Sequence, residues 1–510
     1  MIISLSVLVI TIIVSGTYAL YKTQLSKNIG VNTTTHGLAY YINYVKGTDI
    51  TAATLNPSTS YEGGASSDIE FWKKDDSYDI YGKIELTVNT IGTNLSNSPA
   101  LKYAVVNNGN VLKEGSLKGT TSGSKVTILK NLYLEQTKQI YTVYVWLDNS
   151  EELGNISNES LSISVDCTAS LQKEPTAADT IISLYTSAAK VTATNNSITY
   201  NTAPSVSLMN DRLGGTTTDL DGGNIRYYGA NPNNYIYFNC SDYSNQTSST
   251  CETWRIIGVF DGKLKLIRGS QIGKYSWDNK NKSTGAENNS GKNDWTTARL
   301  MKLLNPSDYY TVDSNDNNLG QSLYYNSASG KCYSGQNNAT VDCDFTSTGI
   351  KNEETRNMIA ETTYNLGGWN TFTVYPNEIY EYERGTTVYS GRPTTWKGKI
   401  ALAYPSDYGY AADLNQCKDK TLYDYDNRTC TSNNWMKAII TNNGSNTGWL
   451  LTPFSRLSYY AWYVDSDGFV NYYNGACNAS GAVPVLSLSS ELGIESGGDG
   501  SSSKPYKLSA

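Results

Sequence analysis

The chain has 510 residues and a net charge of −7, with 40 Lys and Arg scattered without a basic run. That length is too great for one compact core, so two or three folded units are expected, and the composition carries no nucleic-acid footprint, so nucleic acid is not an expected partner. Tyr stands at 41 against 7 Phe in a background rich in Asn, Ser, Thr and Gly, which suits an exported β-protein with aromatic recognition surfaces, because Tyr offers contact area, few rotors and a polar tip.

Residues 1–21 form an apolar run that meets its first charge at Lys22. The run reads as a signal peptide or a membrane anchor: Thr17-Tyr18-Ala19 offers a small-x-small cleavage pattern, whereas the length approaches what a bilayer requires. Either reading places the rest outside the cytoplasm, at the cell surface, membrane-anchored or secreted. Residues 35–170 then alternate polar and apolar positions over 38–45, 80–88, 126–129 and 140–147, with Asn/Gly/Ser turns between, and an Ig-like β-sandwich is the simplest architecture. Residues 171–205 are expected to be a helix over 177–190 followed by a polar linker.

The remainder, 206–510, alternates strand and helix signals. A strand is expected over 233–240, and a hairpin over 253–268 turning at Asp261-Gly262, the dipeptide that best matches strand twist. Helical spacing follows over 293–304, stopped by Asn305-Pro306, and again over 351–366. Short strands are expected at 400–403 and 449–452, a last hairpin at 461–473, and a closing strand at 483–488. The fold class is therefore α+β, with a β-sandwich followed by a mixed domain.

Cysteine spacing supports export independently. Six of the eight Cys fall into local pairs, Cys240/Cys251, Cys332/Cys343 and Cys417/Cys430, which read as disulfide staples worth roughly 3 kcal/mol each by chain entropy. Zinc is disfavoured, because no C-x-x-C occurs and the single His, His36, is far from every pair. Cys167 and Cys477 are left over, to pair with each other or stay free.

The order Trp254-Arg-Ile-Ile-Gly258, Asn293-Asp-Trp295 with its helix, Trp449-Leu-Leu-Thr-Pro453, 464–470 and Val483-Pro-Val-Leu486 resembles the DUF6273 family over residues 225–490. That family belongs to the C-type-lectin-like group, which also holds the formylglycine-generating enzymes. Between Pro453 and Pro484 the residue palette is similar to the variable region of proteins diversified by retroelements. The resemblance implies a ligand-binding set of Arg456, Ser458, Tyr459, Tyr460, Trp462, Tyr463, Asp465, Phe469, Asn471, Tyr472, Tyr473, Asn474, Cys477 and Asn478. Aromatic and amide side chains concentrated on one turn-rich segment also make an adaptable contact surface on physical grounds alone. The leader, ending Gly16-Thr-Tyr-Ala-Leu-Tyr21, resembles exported fibre proteins of the TasA/camelysin type.

Enzymatic chemistry finds little support. The lone His sits outside the C-terminal domain, against His-based acid–base and Ser/His/Asp catalysis. Asp465-Ser-Asp-Gly468 resembles a fragment of a calcium loop, but it lacks the third oxygen position and the distant Glu, and a β-turn explains it. Glu353-Glu354 and Glu378, Glu381 and Glu383 read as solvated faces rather than a glycosidase pair. Formylglycine-type chemistry needs a reactive Cys pair, and Cys477 has no evident partner. The expected function is binding of an unknown protein or glycan on another surface, without cofactor. A structural surface or fibre subunit is the alternative, and a lectin-fold enzyme a third.

Overall fold

The computed structural model describes residues 23–25 and 41–509, apart from 53–54, 152, 157, 214–221, 281–288, 313–318 and 337. The apolar run 1–21 lies outside the described residues. No described helix is long and apolar enough to cross a membrane. The chain divides into two compact units, 1–174 and 175–510, and most of its regular structure is strand.

In the first unit two sheets pack around one core. Strands Thr23–Leu25, Leu161–Ser170, Tyr81–Ile91 and Lys125–Tyr133 form one sheet, and Ile42–Val45, Ala65–Lys73, Ile140–Asp148, Leu101–Asn107 and Asn110–Ser116 the other, each in that spatial order. Strict alternation drives this: Ile69 and Phe71 from one sheet and Ile84, Leu86 and Val88 from the other are fully buried in a shared cluster, as a half-buried strand pattern requires. The expected sandwich is therefore present, but it starts earlier than residue 35, because Thr23–Leu25 pairs antiparallel with the strand ending at Ser170.

The second unit begins sooner than expected. The helix Ala177–Ser187 is closed at its start by a capping box between Thr176 and Asp179, and its Ala177, Ala178, Ile181 and Tyr185 enter the second unit's core. Strands Val191–Asn195 and Ile198–Ala203 follow and pair into a nine-stranded sheet. The helix expected within 171–205 is thus present, whereas the polar linker expected after it is folded structure; its Thr/Asn-rich composition hides a hairpin whose Tyr200 is fully buried.

That sheet continues through Leu208–Asn210, Ile225–Tyr227, Glu252–Phe260, Lys263–Arg268, Val485–Ser487 and Ile400–Ala401. The turn at Asp261-Gly262 takes positive φ at both residues, 48° and 70°, the geometry of a type I′ hairpin. The expected helix over 293–304 forms as a 3-10 turn, Trp295–Thr297, then Arg299–Leu304. Asn305 stops it by bonding to the carbonyls of Met301 and Ile400 and accepting from the N–H groups of Lys399 and Ile400. The helix expected over 351–366 is shorter: it spans Glu353–Met358, and Thr362–Asn365 instead pairs with Thr395–Gly398. Adjacent β-branched Thr362 and Thr363 fit a pleated strand better than a helix turn.

All three expected staples form, Cys240–Cys251, Cys332–Cys343 and Cys417–Cys430, and they indicate an oxidising, extracytoplasmic environment. Cys167 and Cys477 are buried free thiols.

A buried ionic group ties this sheet to the helix Pro405–Tyr410. Asp407 pairs with Arg226 at 2.9 Å and with Lys265, while Arg226 also holds Asp211 at 2.6 Å. Burial alone would raise the Asp407 pKa; the Lys265 ammonium and the Arg226 guanidinium outweigh it and hold it below the usual value. Removing one partner of such a group leaves an uncompensated buried charge. Asp407→Asn is expected to cost about 3–5 kcal/mol, measured as a lowered denaturant midpoint for the second unit.

Glu383, expected on a solvated face, is instead fully buried and behaves oppositely. Burial pushes its carboxyl up from 4.5 to about 7, against the lowering effect of Arg384 and of hydrogen bonds from Ser406. Its folded pKa exceeds its unfolded one, so its contribution to stability is complete below about 4.5 and is lost as pH rises through 7. The denaturation midpoint is expected to fall across that window in the parent chain, and Glu383→Gln should flatten the decline.

Candidate functional site

The expected hairpin forms from strands Tyr460–Val464 and Val470–Gly475, with Val464 opposite Val470 and Tyr463 opposite Asn471. It lies at one side of a five-stranded sheet completed by Gly448–Pro453, Ala479–Ala482 and Gly273–Ser276. Asp465 closes the turn by accepting from the Asp467 N–H and the Ser466 hydroxyl. Gly468 completes it at φ 112°, a conformation that side chains rarely adopt. Among the described residues no group of His, Cys, Asp or Glu is placed to hold a metal.

Period-two alternation sorts the candidate residues by face. Trp462, Val464, Val470 and Tyr472 point into a core with Tyr408, Trp435, Met436 and Phe454. Trp462 is wholly buried and Tyr472 is 5% exposed, its ring stacked on Phe454 at 3.9 Å. Ser458 and Cys477 are buried as well. These four of the expected ligand-binding residues are structural supports rather than contact residues in this state. Burial raises the Cys477 thiol pKa, which keeps it protonated and poorly nucleophilic. Asn474 and Asn478 are spent on each other: Asn478 Nδ2 donates to Asn474 Oδ1 at 2.7 Å, Asn474 Nδ2 donates to Ser480, and Gln336 donates to Asn478.

The remaining candidates are half-buried or exposed, and several join a continuous run of rings. Phe469 lies 5.4 Å from Tyr423, Tyr423 4.3 Å from Phe372, Phe372 6.4 Å from Tyr473, Tyr473 5.8 Å from Tyr460, and Tyr460 4.7 Å from Tyr459. Tyr473 is 57% exposed and Tyr423 39%. Arg456 is exposed beside this run, whereas Tyr463 turns to the other side and packs on Trp449. Burial lifts the Tyr463 phenol to about 12.

Phe372 and Tyr423 were not anticipated. They come from two segments far from the hairpin in sequence, and only folding brings them to it. Tyr423 rides on the 3-10 turn Leu422–Asp424, inside the loop closed by Cys417–Cys430, whose sulfurs are buried beside Leu422 and Tyr425. The signal available was the scarcity of Phe: of 7 in the chain, Phe372, Phe454 and Phe469 all belong to this cluster.

A second unanticipated role belongs to Asn293. Its buried side chain donates to the carbonyls of Phe454, Leu457 and Tyr460, each at 2.8 Å, and its N–H donates to the carbonyl of Ser458. Two amide protons shared among three carbonyls satisfy the irregular backbone that enters the hairpin. Arg392 supports the clamp from outside, reaching Asn293 Oδ1 and the Ser458 carbonyl at 3.3 Å.

No protein-family model and no curated protein matches the chain. Among solved structures it is similar to one titled "Crystal structure of HCR/D F1240A mutant", at 12% identity over 50% of this chain and 75% of that one, with a TM-score of 0.14. A likeness that weak carries no argument.

Asn293→Ala keeps the backbone bond to Ser458 and leaves the Tyr460 carbonyl its bond from the Phe454 N–H, but it takes the amide donor from the carbonyls of Phe454 and Leu457. It is expected to lower stability by about 2–4 kcal/mol and to accelerate amide exchange over 456–462, with the first unit unchanged.

Proposed function

We propose that this chain is an exported surface protein whose second unit binds a ligand through the aromatic face built on the hairpin 460–475. The carrying observation is the ring run from Phe469 through Tyr423 and Phe372 to Tyr473, Tyr460 and Tyr459, set on a fully packed core. Rigid aromatic anchors surrounded by half-buried neighbours are the usual makings of a binding hot spot. The C-type-lectin-like reading of 225–490, and diversification of 454–483, remain part of this proposal. Of the positions whose palette suggested diversification, Tyr459, Tyr460, Phe469 and Tyr473 are half-buried or exposed and open to variation, whereas Trp462, Tyr472 and Cys477 are buried, which speaks against variation at those three.

A second reading, a structural surface or fibre subunit, is favoured by a different feature. Strand Asn110–Ser116 ends its sheet with Val111 and Leu112 exposed, an edge open to pairing with another copy.

The two readings separate by mutation. Trp462 and Tyr472 are core residues, so replacing them would test folding instead of recognition. Tyr473→Ala with Tyr423→Ala is expected to leave the thermal midpoint within a few degrees and to reduce adhesion of the full chain to target cells at least tenfold. Unchanged adhesion, with self-assembly abolished by Val111→Lys, would favour the structural reading.

A further inference from the structure

We infer that the second unit carries a carboxylate-binding site at Arg255, in the nine-stranded sheet rather than the hairpin's; it does not rest on the binding reading above. The first observation is an unbalanced buried charge. Arg255, in strand Glu252–Phe260, is 6% exposed. Arg226, Arg268 and Arg384, buried or half-buried, each hold a carboxylate. Among the described residues Arg255 holds none. Its Nε donates to Asn234 Oδ1 and its Nη2 to the Pro232 carbonyl at 3.2 Å, both neutral acceptors. Rings stand where an anion is usual: Cζ lies 3.6 Å from the centre of the Tyr235 ring and 4.9 Å from that of Trp435. Burial lowers the guanidinium pKa to about 10, with the Tyr235 phenol acting against it, so the group is still charged at neutral pH. A buried charge without a counter-ion is unfavourable, and an anion supplied from outside removes that deficit.

The second observation is unused donors. A guanidinium has five N–H groups, and the two bonds above leave both on Nη1 and one on Nη2. Nη1 has no hydrogen-bond partner among the described residues and is not sealed from solvent. Nη1 and Nη2 together form the end-on fork that a carboxylate meets with two parallel bonds.

The third is that the fork is held still. Asn234 is wholly buried, and its Nδ2 donates to the Ile256 carbonyl at 2.8 Å, which fixes its Oδ1 on Arg255. Trp435 Nε1 donates to the Tyr227 carbonyl at 3.0 Å. Tyr235 stands opposite Arg255 in the strand pair, and its phenol donates to the exposed Asn231 at 3.2 Å. A fork fixed before the ligand arrives loses little entropy on binding. The same rings select shape. With two rings against the guanidinium and so little of it exposed, a ligand enters along its plane. A planar carboxylate fits that approach, whereas the out-of-plane oxygens of a phosphate or sulfate meet the rings.

The test uses the full chain labelled with 15N-arginine. The Nε–H signal of Arg255, identified by its loss in Arg255→Lys and Arg255→Gln, is followed against acetate, phosphate and chloride at neutral pH and constant ionic strength. Melting curves in the same solutions record folding. The expected result is a saturable shift with acetate, absent with chloride, and a raised melting midpoint whose acetate dependence weakens about tenfold or more in Arg255→Lys, which keeps the charge and loses the fork. A peptide with a free C-terminus and its amidated form then separate a chain end from a free acid as the source; binding of the free form or of acetate alone upholds the site. A phosphate response equal to that of acetate would overturn the carboxylate class. A signal that acetate moves no more than chloride does would overturn the site, and the parent chain decides this even where the variants fold poorly.

Discussion

The second unit is organised by the need to bury irregular backbone without orphaning its polar groups. Its helices are short and its sheets interrupted, so hydrogen-bond ladders cannot satisfy every carbonyl. Buried amide side chains do so at the points where regular structure stops. Asn293 holds the entry to the hairpin through three carbonyls, and Asn305 ends a helix while bridging to a strand. Asp407, paired with Arg226 and Lys265, accepts the Tyr404 N–H at the start of its own helix.

These polar clamps explain how a binding face can be both aromatic and ordered. Rings exposed on a loose loop would collapse on each other or on other molecules. Here one face of the hairpin is anchored by Trp462, Tyr472 and Phe454 in a closed core, its entry is pinned by Asn293, and its neighbour Tyr423 is carried inside a disulfide-closed loop. The exposed rings are thereby held in fixed positions, and fixed positions reduce the entropy lost when a ligand binds.

Much of this was legible from the residues. The sandwich strands, the hairpin at Asp261-Gly262, the three staples and the final hairpin all follow from local pattern: period two, turn chemistry or short Cys spacing. Other features were hidden where local preference lost to tertiary context. The Thr/Asn-rich stretch before 205 looked like linker, yet it forms strands because it can pair with an existing sheet. The helix signal past Met358 failed at Thr362 and Thr363, which pair with Thr395–Gly398 instead. The candidate site was named as a segment, and within it tertiary packing decides which residues are contact and which are core: Trp462 and Tyr472 are covered, while Tyr473 stays exposed.

By itself, the sequence determined the class of molecule: β-rich, stapled by disulfides, with Tyr459, Tyr460, Tyr463, Tyr472 and Tyr473 grouped on one C-terminal hairpin. These properties reside in composition and in neighbours a few residues apart. Only the tertiary structure decided that Trp462, Tyr472, Ser458 and Cys477 face inward, that Phe372 and Tyr423 join the surface, and that Asn293 positions it. The reason is physical: a strand's two faces are equivalent until something packs on one of them, and rings separated by tens of residues become neighbours only when the core between them closes.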